Sequence, residues 1–375
     1  MNKMKIITIL GTRPEIIRLS RVIHELDLKT NHKIIHTGQN YDYELNEIFF
    51  KELGIRKPDF FLNAAGQSSC ETVAKVIMET EKVLLAEKPD AFLVLGDTNS
   101  SLGVYAAKRL KIPTFHMEAG NRSYDQRIPE EINRKIIDHI SDINLVYSDL
   151  ARQSLIREGL PLNQIIKTGS PMREVLSFYE SKIKDSSVLT NLGLKPETYF
   201  VVSAHREENV NNPKNFEKLI TTINTIAEKY DQPIIFSTHP RTNKIITDSQ
   251  VHLHSQIKIL KPLGFLDYIK LQQNARCVLS DSGTISEESS ILNFPALNLR
   301  EAHERPETMD EAAVVMSGLE TTHVLRCLEA VLDQPRGDKK DFDLTKDYTP
   351  TNVSKKVVRI ILSYTDFINK KIWFK

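Results

Sequence analysis

Ala91-Phe-Leu-Val-Leu-Gly-Asp97 and Thr114-Phe-His-Met-Glu-Ala-Gly120 are the stretches whose reading decides the fold. Each reads as a short buried strand with a carboxylate at its end, Asp97 in the first and Glu118 in the second, and a helical segment lies between them. In an open α/β sheet, ligands bind outside the carboxyl ends of the strands. Acids gathered on that edge point to proton transfer rather than packing. Pro129-Glu-Glu-Ile-Asn-Arg134 adds Glu130 and Glu131 close behind.

The same alternation extends outward in both directions. Residues 4–10, 33–36, 91–95, 114–117 and 144–147 read as strands, and helical faces are marked by Leu19, Val22, Ile23 and Leu26 and by Val73, Ile77, Val83 and Leu84. After Pro196 the pattern repeats, with strands at 199–203, 233–237, 257–260, 277–279 and 296–299 and a helix at 215–229. Alternation in both halves predicts an α/β chain of two doubly wound, parallel-sheet (Rossmann-like) domains. The polar stretch 168–187 marks the boundary, giving domains 1–172 and 173–352, and a last helix in 353–375 returns to complete the first.

Composition narrows the function. A chain of 375 residues exceeds one ordinary core. Lys+Arg of 50 against Asp+Glu of 49 leaves no basic excess, which argues against nucleic acid as a partner. No run reaches the length of a membrane span, and no signal-peptide pattern opens the chain. Cys70, Cys277 and Cys327 lack metal-ligand spacing and read as buried thiols of a reducing, cytoplasmic compartment. Neither Gly-x-Gly-x-x-Gly nor a Walker-type loop is present, and no metal site is expected.

Four segments carry the candidate chemistry. Gly11-Thr-Arg-Pro-Glu15 follows the first strand and opens a helix; it is an anion-binding loop with Arg13 as its guanidinium, or an ordinary turn with a surface arginine. Ser280-Asp-Ser-Gly-Thr-Ile-Ser-Glu-Glu288 runs from a buried strand into a helix, and its hydroxyl and N–H donors suit a phosphate, with Glu287 and Glu288 near enough for a ribose diol. The alternative there is a helix capped by Ser282. His205-Arg206 ends a third strand, and His239-Pro-Arg241 and His303-Glu-Arg305 repeat the pairing, suggesting a local positive site. Among the acids, Asp97 has a capping alternative, while Glu130 and Glu131 have salt-bridge alternatives with Arg134 and Lys135. Ile132, Ile136 and Ile140 predict the buried face of their helix.

Taken in order, Gly11-Thr-Arg-Pro-Glu15, Gly96-Asp-Thr98, Glu118-Ala-Gly120, Pro129-Glu-Glu-x-Asn-Arg134, His205-Arg-Glu207, Ser280-Asp-Ser-Gly283 and Glu304-Arg-Pro-Glu307 resemble the non-hydrolysing UDP-N-acetylglucosamine 2-epimerase family. The resemblance implies a glycosyltransferase-B-like fold with the active site in the interdomain cleft. It implies inversion at C2 of a UDP-2-acetamido sugar, without a cofactor, by a homodimer. Carried over by motif, Asp97, Glu118, Glu130 and His205 are catalytic. Arg13, Arg18, His239, Tyr268, Ser282, Gly283, Thr284, Glu288 and Arg305 hold the UDP-sugar, with Glu288 accepting from the ribose.

The chain departs from the common pattern at the loop Gly120-Asn-Arg-Ser-Tyr-Asp-Gln-Arg-Ile-Pro-Glu-Glu131, at Ser282-Gly-Thr284, and at Gly38-Gln-Asn-Tyr-Asp42, a segment associated in the family with a regulatory UDP-sugar site. These variants resemble the branch acting on 6-deoxy L-sugars, which makes UDP-N-acetyl-L-fucosamine for capsule and other surface polysaccharide from UDP-2-acetamido-2,6-dideoxy-β-L-talose. Interconversion of UDP-GlcNAc and UDP-ManNAc is the nearest alternative. A UDP-sugar glycosyltransferase and a non-catalytic sugar-nucleotide sensor are the more distant ones.

Overall fold

The structure, a computed structural model, describes residues 3–39, 43–126, 128–238, 240–249, 251–300 and 305–375. It divides into two compact units, Met1–Phe178 with Lys346–Lys375, and Tyr179–Thr345.

The first unit holds seven parallel strands: β1 (Lys5–Leu10), β2 (Asn31–His36), β3 (Phe60–Phe61), β4 (Ala91–Leu95), β5 (Thr114–Ala119), β6 (Ile143–Val146) and β7 (Ile165–Lys167), in the order β3-β2-β1-β4-β5-β6-β7. The second holds six, also parallel: β8 (Phe200–Ser203), β9 (Ile234–Ser237), β10 (Ile257–Leu260), β11 (Cys277–Ser280), β12 (Ala296–Asn298) and β13 (Val315–Met316), in the order β10-β9-β8-β11-β12-β13. The two parallel-sheet units read from sequence are therefore present. Strands β3, β7 and β13 are the ones that sequence did not supply, because two or three residues are too few for a periodic signal.

Both sheets change winding direction at the same place, between β1 and β4 in the first and between β8 and β11 in the second. Such switch points open a crevice at the carboxyl edge, where ligands bind. The loops that leave these four strands begin at Gly11, Gly96, Ala204 and Asp281.

Apolar burial holds each unit to its sheet. Helix Arg13–Lys29 buries Ile16, Leu19, Val22, Ile23 and Leu26. The last helix, Val353–Lys371, packs against it in the first unit and buries Val357, Val358, Ile361 and Ile368. In the second unit, helix Pro213–Tyr230 sets Phe216, Leu219 and Ile223 on Phe200, Val202 and Leu279. Each such side chain contributes about 1.5–3 kcal/mol on leaving water.

Two expectations are corrected here. Helix Pro129–Ile140 buries Glu131, Arg134, Ile137 and Asp138, while Ile132 and Ile136 are 54% and 44% exposed. Its charged residues face inward because each meets an opposite charge there, as described below. Helix Ser69–Glu87 keeps the face expected of it, with Leu84 in the core and Val73, Ile77 and Val83 packed half-buried against it beside the inward Thr72, Val76 and Thr80. Cys70 is exposed; Cys277 and Cys327 are buried, and burial pushes the Cys277 thiol up to about 12. Among the described residues, no helix is long and apolar enough to cross a membrane.

Candidate active site

In the first unit the loop after β1 is built around Glu15, which sequence had left without a role. The Gly11 and Thr12 N–H groups each donate to Glu15 Oε2 at 2.7 Å, and Thr98 Oγ1 donates to Oε1 at 2.5 Å. One buried carboxylate thus ties together the two loops that flank the switch point. Burial pushes the Glu15 carboxyl up to about 7 against the pull of its donors. The expected anion loop is corrected to this extent: its first two N–H groups are already held by Glu15. The Thr-x-x-Glu spacing at 12–15, a capping-box signature, was the available signal. Gly11 is required by space, since a Cβ there would meet Thr37 Oγ1 at 2.0 Å and Ser100 Oγ at 2.3 Å. Arg13 lies with its guanidinium carbon 6.0 Å from the Phe49 ring centre.

Glu118 lies within β5, not after it, at a bulge where the register to β6 shifts, and its φ of 66° is left-handed. Such a backbone costs about 1–3 kcal/mol for a non-glycine residue and is found most at functional sites. Gly120 follows at φ +80, with Ala151 O only 2.4 Å from where a Cβ would sit. The buried Arg18 donates through Nη1 to Glu118 Oε2 at 2.7 Å and lies 5.8 Å from the Tyr147 ring centre.

Asp97 is not a helix cap. Thr98 caps the short helix Asn99–Gly103, accepting from Ser100 N. The Asp97 carboxylate instead receives Arg134 Nε at 2.9 Å and Nη2 at 2.6 Å on Oδ2. Arg134 also donates to Glu131 Oε2 at 3.1 Å, and Ser123 adds its N–H and hydroxyl to the same oxygen. The geometry therefore separates the two glutamates that sequence left open. Glu131 is buried and supports Arg134, whereas Glu130 is half-exposed in the first turn of its helix.

In the second unit, Asp281 anchors the corresponding edge. Its buried carboxylate accepts from His205 N at 3.0 Å, Arg206 N at 2.9 Å and Asn209 Nδ2 at 3.1 Å, binding the loop after β8 to the loop after β11. The exposed His205 ring keeps Nδ1 3.4 Å from Asp281 Oδ1. Ser282, Gly283 and Thr284 are half-exposed in front of helix Ile285–Leu292. Thr284, not Ser282, is the residue at its N-cap; Ser282 Oγ meets Thr284 N at 3.3 Å and Thr284 Oγ1 at 3.0 Å, shaping the turn.

Glu288 is buried beside Gln272, whose Nε2 donates to Oε2 at 2.9 Å, and Tyr268 lies one turn earlier on the same helix, Phe265–Gln273. Glu287 is buried with Arg305 Nε at 3.3 Å from Oε2. His239 lies outside the described residues, as do 40–42, 127 and 301–304, so of the three His/Arg pairs only His205-Arg206 is described as a whole. Within each unit, the remaining expected residues fall at the carboxyl edge of the sheet or on the helices beside it.

The sequence profile of the UDP-N-acetylglucosamine 2-epimerase family matches residues 24–362. A UDP-N-acetylglucosamine 2-epimerase of Methanococcus maripaludis is 40% identical, over 88% of this chain and 93% of its own. The solved structure of UDP-N-acetylglucosamine 2-epimerase from Rickettsia bellii superposes with a TM-score of 0.93 at 49% identity, covering 100% of both chains. The Methanocaldococcus jannaschii UDP-GlcNAc 2-epimerase, solved in complex with UDP-GlcNAc and UDP, gives 0.89 at 36% identity over 96% of this chain and 100% of its own. On this evidence the chain belongs to the UDP-N-acetylglucosamine 2-epimerase family and is an epimerase.

Proposed function

We propose that this protein inverts C2 of a UDP-linked 2-acetamido sugar by eliminating and re-adding UDP, with UDP-2-acetamido-2,6-dideoxy-β-L-talose as substrate and UDP-N-acetyl-β-L-fucosamine as product. The observation that carries the reaction class is the set of acids at the first unit's edge, with Glu118 and Asp97 each held by a buried arginine. A C2 hydrogen has no neighbouring carbonyl to acidify it. As the bond from C1 to the UDP oxygen breaks, its electron pair leaves with UDP and positive charge grows at C1. A carboxylate among Asp97, Glu118 and Glu130 then takes the C2 proton, and the C–H electrons form the C1=C2 bond of a 2-acetamidoglycal. A second acid returns a proton to the opposite face as UDP re-adds at C1. Atoms and electrons balance without a redox cofactor.

The second unit supplies the nucleotide contacts in this reading. Ser282, Gly283, Thr284 and the loop at His205 face the diphosphate, Glu288 takes the ribose, and Tyr268 and Arg305 complete the second unit's share; Arg13, Arg18 and His239 are assigned to UDP-sugar binding by motif alone. The L-sugar rests on the loop 120–131 and on Ser282-Gly-Thr284, which depart from the common family pattern. UDP-GlcNAc is the second reading, favoured by what the relatives are called. We further assign the product to cytoplasmic synthesis of surface polysaccharide. The active species is a homodimer in this account; sedimentation as a monomer at assay concentration would contradict that assignment.

The test is a comparison of kcat/KM on the two sugars by chromatography of the products. The proposal expects the L-talo substrate to be preferred by at least about 10²-fold, the order of discrimination that a remodelled sugar pocket reaches. Preference for UDP-GlcNAc would return the protein to the second reading, and turnover of neither would overturn both sugar assignments and point to another UDP-2-acetamido sugar.

A further inference from the structure

His116 is a buried ionisable group that the reaction above leaves unused. It lies on β5 two residues ahead of Glu118 and is fully buried. Its Nε2 is 2.9 Å from the carbonyl oxygen of Gly96, the residue before Asp97. A carbonyl only accepts, so Nε2 carries a proton. On the other side, Nδ1 lies 2.9 Å from Asp138 Oδ1, in contact but outside hydrogen-bond geometry. Asp138 is itself fully buried and accepts from Gly120 N at 3.2 Å and from Arg122 Nη1 at 2.7 Å. Arg122 continues the chain to Glu158 through two bonds of 2.7 and 2.6 Å.

One imidazole therefore touches the backbone of the loop that carries Asp97 and the carboxylate that pins the turn after Glu118. Gly96 also donates its N–H to Met117 O at 2.9 Å, so both of its polar backbone groups end on β5. Asn144 stands opposite His116 in the β5–β6 register and holds Asp138 O through Nδ2 at 2.9 Å. Packing does not call for this arrangement. Apolar side chains would fill the same space without desolvating an imidazole, a carboxylate and a guanidinium.

We propose that His116, together with Asp138, is a positioning residue that fixes the separation of Asp97 and Glu118. The Nε2 contact governs the Asp97 loop, and the contact with Asp138 governs the Gly120 turn. This rests on the reading that both carboxylates act at C2.

Two substitutions separate the two contacts. His116→Gln keeps an amide donor near the Nε2 position, and His116→Asn keeps one near Nδ1. Asp138→Asn preserves shape while removing the charge, and it carries the test if the histidine variants do not fold. Each variant is expected to lose kcat by about 10- to 10²-fold, as a displacement near 1 Å does, while KM stays within about threefold. UDP affinity by calorimetry should not move. Folded variants with wild-type kcat, or with losses confined to KM, UDP affinity or thermal stability, overturn the inference alone. Wild-type protein that exchanges no C2 hydrogen with any UDP-2-acetamido sugar overturns the reaction reading and this inference together.

Discussion

The two carboxyl edges share a topology and differ in chemistry. At the first, each assigned strand-end acid is held by a buried cation: Glu118 by Arg18, and Asp97 by Arg134, which Glu131 supports in turn. At the second, the buried acid Asp281 is spent on backbone N–H groups, and the half-exposed positions are occupied by Ser282, Gly283 and Thr284. The first edge fixes carboxylates at set positions, which suits moving protons. The second fixes donors, which suits holding an anion. The same topology carries different side-chain networks at the four loops.

The largest effect that would break this contrast lies at the first edge. Glu118→Gln and Asp97→Asn are expected to lower kcat by about 10²–10⁴-fold, the contribution of a positioned acid or base, with UDP affinity unchanged. Equal losses in UDP affinity, measured by calorimetry, would erase the distinction between the edges.

Smaller effects belong to the second edge. Ser282→Ala and Glu288→Gln should weaken UDP binding by about tenfold, the value of one good hydrogen bond to a charged group, and leave kcat at saturation near wild type. A fall in kcat with unaltered UDP affinity would assign this edge to proton transfer instead.

The smallest effect concerns stability. The Glu15 carboxyl titrates at about 7 in the folded protein against 4.5 as its ordinary value, so the folded state holds its proton longer than the unfolded chain does. Its contribution is therefore fully present below pH 4.5 and lost as pH rises through 7, by about 3 kcal/mol at most. Denaturant titrations should show wild type losing stability relative to Glu15→Gln between pH 5 and 8, about the window those two values span. A parallel pair of curves would mean that Glu15 is ionised throughout.

Much of this contrast was legible before any coordinates. Runs such as Ala91–Leu95 and Cys277–Ser280 carry strand length and burial in their composition, and the acids and serines that follow them sit where an α/β sheet binds ligands. What sequence could not supply was pairing. Local spacing left Asp97 a capping alternative beside its catalytic assignment, and its partner Arg134 comes from a distant helix. Ile132 and Ile136 looked buried because an amphipathic pattern assumes that charge faces water; here Glu131, Arg134 and Asp138 neutralise one another or their neighbours inside. Glu15 had no role in the sequence reading, and only the fold reveals that it bridges to Thr98.

The central claim is that the first unit's acids exchange the C2 hydrogen while UDP is detached. The most direct test is proton NMR of the wild-type reaction in D₂O with the UDP-6-deoxy-L-talo sugar and no nicotinamide added. The account predicts solvent deuterium at C2 of the L-fuco product. Inversion with the original hydrogen retained at C2 would contradict it.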